Sequence, residues 1–97
     1  MAQIKWNKRA SKQFSDLQQY LLQEFGKNSV KTFTSRVFTF LDLLLKHPHL
    51  GTLENKEKEI RGFVLHKHTT ILYKEHKGSI YILSLFDNRQ NPQIKSN

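Results

Sequence analysis

The apolar positions fall into two helical stripes and then change rhythm. Between Asn7 and Phe25, the residues Ala10, Phe14, Leu17, Leu21 and Phe25 recur at steps of three and four, the spacing that lines one face of an α-helix. Lys8, Arg9, Lys12 and Gln19 are left for the solvent side. Asn7 is placed to cap the start, and Gly26 to close the end in a left-handed conformation. Ser29 offers a second N-cap, followed by Val30, Phe33, Val37, Phe40, Leu41, Leu44 and Leu45, again at helical spacing. This second helix is expected to stop near Lys46, because Pro48 restrains His47 away from helical geometry. About three residues between the helices predict an antiparallel hairpin.

Pro48 to Lys58 has no apolar period. It carries Gly51 and the alternating charges ENKEKE, and it reads as a solvated loop. Beyond it the pattern becomes extended: Ile60–Leu65, Thr69–Glu75 and Ser79–Phe86 are rich in β-branched and aromatic residues, with a hairpin turn at Lys77-Gly78. The run IYILSLF is apolar at nearly every position, as in a central strand covered on both faces. With a short opening strand at QIKW, the expected order is β-α-α-β-β-β. This is an α+β fold, a helical hairpin packed on a small antiparallel sheet, in one domain spanning residues 1–97.

Composition narrows the function. In 97 residues, 16 Lys and Arg stand against eight Asp and Glu, a net charge of +8. Such an excess repels itself unless an anionic partner is near. Hydrophobic residues at 37% are enough for a core, which excludes a disordered polyelectrolyte. No run approaches the roughly 20 apolar residues of a membrane-spanning helix, so no membrane partner is expected. The start MAQIKWNKRA shows no secretory core. Without cysteine there is neither a disulfide framework nor a thiolate zinc site, consistent with a cytoplasmic protein.

Two arginines stand out. Arg61 reads as a fixed cation on the sheet, able to meet phosphate or carboxylate with a planar fork; the alternative is an ion pair with Glu57 or Glu59 at a strand edge. Arg89, with Asn88 and Asp87, sits just past the central strand, where the fold presents its end; the alternative is a turn in which Asp87 pairs with Arg89. His66 and His68, two apart, are expected on one face of a strand, and His47 and His49 flank Pro48. Nothing in the spacing joins the two pairs into a metal site, so no metal or cofactor is expected. Lys5, Lys8, Arg9 and Lys12 cluster at the first helix. If they share a face with Arg61, Lys67 and Arg89, they form an anion-binding surface. Trp6 and Phe25 fall at the ends of apolar stripes and are expected in the core.

The stretch IKWNKRASKQFSDLQQYL leading into a helical pair, and EIRGFVLHKHTTILYKEHKGSIYILSLFDNRQNP over the last strands, together resemble the RelE/ParE superfamily of bacterial toxins from type II toxin-antitoxin modules. The resemblance spans essentially the whole chain. It implies a toxin held inactive by a cognate antitoxin with an acidic, flexible segment, and one of two targets. RelE-like members cut mRNA in the ribosomal A site, whereas ParE-like members poison DNA gyrase. RNA cleavage needs a base, an acid and a cation for the developing phosphorane charge. Similarity to the cleaving branch would place an Arg in the penultimate strand where Thr70 stands, and a Tyr or His after Arg89, where none occurs. The resemblance therefore leans to the ParE-like branch and a binding mechanism. In the cleaving alternative, Arg61 and Arg89 would steady the phosphate and His68 or Lys67 would move the proton. A non-toxic relative that only binds antitoxin or nucleic acid is the third reading.

Overall fold

The computed structural model of the chain describes residues 3–87. A strand β1 (Ile4–Trp6) leads into α1 (Lys8–Phe25) and α2 (Lys27–Lys46), and four strands follow: β2 (Thr52–Asn55), β3 (Ile60–His66), β4 (Thr69–His76) and β5 (Ser79–Asp87). Their order across the sheet is β1-β5-β4-β3-β2.

The two stripes behave as the spacing requires. Ala10, Leu17 and Leu21 of α1, with Phe33, Val37, Phe40, Leu41 and Leu44 of α2, are buried against Ile71, Tyr73, Ile80, Ile82 and Leu85 of the sheet. Asn7 caps α1, its Oδ1 accepting from the Ala10 N–H at 2.7 Å. The helices are closer in sequence than expected. Gly26 alone joins them, at φ +91° and ψ 179°, a region that only glycine enters at little cost. It also serves as the N-cap of α2, so Ser29 lies inside the helix and does not cap it. The helix ends at Lys46, two residues before Pro48. Among the described residues, no helix is long and apolar enough to cross a membrane.

The sheet differs from expectation in two places. Part of the predicted Pro48–Lys58 loop is the strand β2, which pairs antiparallel with β3 (Thr52 opposite Gly62, Leu53 opposite Arg61). All four of its residues are exposed, so it lacks the apolar alternation by which strands are recognised. The sheet is also mixed. β1 pairs in parallel with β5, Ile4 opposite Ile80 and Trp6 opposite Ile82, and the connection between them, through α1, α2 and the strands β2, β3 and β4, is the long crossover that a parallel pair needs. The β4-β5 hairpin turns at Lys77 and Gly78, both at positive φ, the two-residue turn that matches strand twist.

Past Trp6 the edge of β5 is completed by a helix rather than a strand. The Asn7 side-chain amide donates to the Leu83 carbonyl at 3.3 Å, and Gln13 Oε1 accepts from the Leu85 N–H at 2.9 Å and the Ser84 hydroxyl at 3.2 Å. Polar side chains at the start of α1 thus partner backbone groups of β5 that β1 does not reach.

Candidate functional site

Cross-strand register decides which face each candidate occupies. Tyr73 pairs with Arg61 and Ile82, Ile71 with Phe63 and Leu85, and these point toward the helices, where Phe63 stacks on Phe40 at 4.4 Å between centroids. The alternate set, Thr70, Leu72 and Lys74 of β4 with Phe86, Ser84 and Tyr81 of β5, lies on the side the helices leave open. Arg61 is therefore on the covered side. Its Nη1 donates to the Gly51 carbonyl at 2.8 Å and the His49 carbonyl at 3.4 Å, instead of pairing with Glu57 or Glu59.

Arg61 belongs to a brace that holds the α2-β2 connection. The fully buried Tyr73 hydroxyl donates to the Pro48 carbonyl at 2.9 Å and accepts from the Gly51 N–H at 2.8 Å. Burial raises the phenol's pKa above its ordinary value, against the opposing pull of the Gly51 N–H and the Arg61 charge. Gly51 is pressed so closely that a Cβ there would meet the Gly62 carbonyl oxygen at 2.8 Å and the Tyr73 ring at 2.9 Å. One arm of this arginine's fork, Nη1, is taken up by backbone carbonyls.

The remaining candidates are dispersed. Lys67 and His68 lie in the β3-β4 turn, so His66 and His68 do not share a strand face; His66 ends β3 and the two rings are 6.4 Å apart. His66, the last residue of β3, is about 17 Å from Arg61 at strand rise, and His68 follows it in the turn. Asn88 and Arg89 lie outside the described residues; the last described residue of β5, Asp87, is a buried carboxylate that accepts from the Thr69 hydroxyl at 2.9 Å. Among the described residues, no three His, Cys, Asp or Glu gather as a metal site would require. Thr70, at the position where the resemblance would put an arginine, pairs with Val64 and Phe86 on the open face.

Lys5 stands on β1 and Lys8, Arg9 and Lys12 on the first two turns of α1, apart from Arg61 on β3 and Lys67 in the β3-β4 turn. Lys8 and Arg9 open α1, whose first turn has no acidic residue. Cations at the positive pole of a helix cost rather than contribute stability, so the folding of α1 gives no reason for their placement. Lys12 is tied to Asp16 at 2.7 Å on the exposed helix face. Arg9 borders a cleft of about 390 Å³ whose walls include Gln13, Ile60, Leu72, Leu83 and Phe86. That cleft opens on the uncovered sheet face, and it joins apolar surface to basic charge.

Sequence reasoning missed Lys74 and Tyr81 on that face, although alternation along TTILYKEH sets Lys74 with Thr70 and Leu72. It also missed Arg36, which lines a second cleft of about 310 Å³ with Asn28, Ser29, Thr32 and His66. Of the two aromatics expected in the core, Trp6 stacks on Phe14 at 5.1 Å, but Phe25 is 51% exposed. It closes the helix end edge-on to Tyr20 instead.

Comparison with known proteins agrees with this geometry. The family model for the ParE toxin of the type II toxin-antitoxin system, parDE, matches residues 4–92. Among solved structures, the chain is similar to one of the chromosomal ParDE toxin-antitoxin system of P. aeruginosa (TM-score 0.74, 13% identity, covering 90% of this chain and 96% of that one). A copper-bound mutant toxin from Helicobacter pylori (0.65, 20%, 94% and 99%) and a chain of the E. coli DinJ-YafQ complex (0.58, 15%, 94% and 98%) share the fold. No curated protein sequence matches. The chain belongs to the ParE toxin family and is the toxin component of a type II toxin-antitoxin module, whose partner is a cognate antitoxin.

Proposed function

We propose that this ParE-family toxin acts by binding rather than by cleaving. Its target is a DNA-associated enzyme, DNA gyrase by family analogy, and the acidic, flexible segment of its antitoxin covers the same basic surface. The contact surface is the Arg9 cleft and the open sheet face beside it, joined by Lys5, Lys8 and Lys12. Lys67 and His68, in the β3-β4 turn, are a second, separate contact, and Asn88 and Arg89, which follow Asp87 in the sequence, are further candidates for binding the target.

One observation carries this reading: the groups an RNA-cleaving site would need are not assembled among the described residues. Arg61 is on the covered face with its Nη1 committed to carbonyls, Thr70 supplies no charge, and His68 is far along the sheet. Phosphoryl chemistry requires its cation and proton carriers within hydrogen-bond reach of one phosphate. A basic, partly apolar face requires only complementarity. An acidic antitoxin segment fits it because its carboxylates can meet Lys5, Lys8 and Arg9 while its apolar side chains cover Leu72, Leu83 and Phe86.

Purified toxin should inhibit supercoiling by purified gyrase, and release that inhibition on addition of the antitoxin, while ribosome-bound mRNA stays intact. Cleavage of mRNA on programmed ribosomes with gyrase unaffected would overturn the mechanism. In cells, DNA synthesis should stop before protein synthesis after induction of the toxin alone.

A further inference from the structure

We propose that the open face of the sheet near the β4-β5 turn binds single-stranded nucleic acid, with one base stacked on Tyr81 and the flanking phosphates held by Lys5 and Lys74. This goes beyond the toxin mechanism above and does not rest on it.

The register builds the site. Lys5 is opposite Tyr81 in the parallel β1-β5 pair, and Tyr81 is opposite Lys74 in the β4-β5 hairpin. The three side chains therefore stand in one row across adjacent strands, with the lysine Cα atoms about 10 Å apart, twice the interstrand spacing. Ile60 continues the row on β3 and brings no charge. Glu75, the neighbour of Lys74, points to the other face and pairs with His49 at 3.2 Å. Glu54 lies over Gly62, farther along the sheet. Two ammonium groups thus flank a tyrosine without a carboxylate in the row.

The two strand tyrosines differ in a way that singles out this one. Tyr73 is buried and its hydroxyl makes two hydrogen bonds. Tyr81 is partly exposed, and its hydroxyl has no partner among the described residues. Its ring already takes a cation, the Lys5 ammonium lying 5.6 Å from the centroid, near the outer limit of a cation–π contact. Such a loose contact exchanges readily: a base takes the ring face and the ammonium moves to the adjoining phosphate. The His76 ring, 6.4 Å from Tyr81, extends the aromatic surface. Alternating cations and π surface are what single strands bind, because their bases are free to stack. A duplex hides its base faces, and an acidic peptide would use the lysines but leave the ring idle.

The test is fluorescence anisotropy with labelled oligothymidylate and, in parallel, oligouridylate, using the full chain. Tyr81→Leu should weaken binding about tenfold, whereas Tyr81→Phe, which keeps the ring, should stay close to wild type. Lys5→Gln and Lys74→Gln should each reduce the slope of log K against log salt by about 0.7. A preference between the two oligonucleotides tells DNA from RNA as the natural ligand. Unchanged affinity in Tyr81→Leu would overturn the proposal, as would polyglutamate displacing the oligonucleotide as well as unlabelled oligothymidylate does, since charge alone would then account for binding. Should Tyr81→Leu fail to fold, the Tyr81 ring protons of the wild-type chain give the answer by NMR: upfield shifts on adding oligothymidylate are expected, and unmoved signals overturn the site.

Discussion

The two faces of one sheet have opposite fates, and Tyr73 and Tyr81 mark the contrast. On the covered face, Ile71, Tyr73, Ile80, Ile82 and Leu85 are at most 1% exposed, and even the cation among them, Arg61, is held by backbone carbonyls. On the open face, Leu72, Phe86, Lys74 and Tyr81 keep part of their surface, and Val64 is 59% exposed. The same strands therefore supply a core on one side and, on the other, the basic, partly apolar surface proposed above for contacts. A charged residue in a strand reports function only after its face is known. Arg61 has the chemistry of a phosphate ligand and the position of a brace.

That contrast is broken most severely by a cavity on the covered side. Ile71→Ala should lower unfolding free energy by about 2–5 kcal/mol, while Leu72→Ala, one residue along and facing out, should cost about 1 kcal/mol or less; urea denaturation of the pair measures the difference. Similar costs for both would mean that something covers the open face in the isolated chain.

Tyr73→Phe comes next. It leaves the Gly51 N–H and Pro48 carbonyl without their partner, at a cost of about 1–3 kcal/mol. Because the folded-state pKa of Tyr73 is raised, the folded protein keeps the phenol proton that the unfolded chain loses above about pH 10. Stability from this group is thus complete below that pH and falls as pH rises through the folded value. The wild type should show this alkaline loss by chemical denaturation across pH, and Tyr73→Phe should lack that component.

Arg61→Ala sharpens the comparison between brace and ligand. It should destabilise by about 1–2 kcal/mol through its lost hydrogen bonds, with antitoxin affinity, measured by calorimetry on the folded fraction, left unchanged. A large affinity loss with unaltered stability would return Arg61 to the contact surface. The smallest effect is expected at Lys12→Ala, where an exposed ion pair with Asp16 contributes about 0.5 kcal/mol or less. Target or antitoxin binding should fall more than stability does, with the loss largest at low salt.

Much of this was legible in the chain because the signals were local. The stripes at Ala10-Phe14-Leu17-Leu21 and Phe33-Val37-Phe40-Leu44, the Asn7 cap, the Lys77-Gly78 turn and the three C-terminal strands each depend on residues within a few positions of one another, and all stand where expected to within a residue or two. The site was much less legible. Arg61, Lys67 and His68 were grouped because they are close in sequence and alike in charge, yet one is on the covered face and the others are in a turn at the far end of the strand. Lys74 and Tyr81 were passed over because neither forms a motif with its neighbours in the chain.

The sequence alone determined both helices, four of the five described strands, the toxin family and the basic surplus, since periodicity, local motifs and charge need no long-range contact. Tertiary structure decided the rest. Parallel pairing of β1 with β5 joins residues more than 70 positions apart, and β2 is a strand only because β3 offers it a ladder of hydrogen bonds. Register then assigned each polar side chain to a face. The physical reason is common to all three: a hydrogen bond or a cross-strand neighbour has no signature until the chain has brought its partner to it.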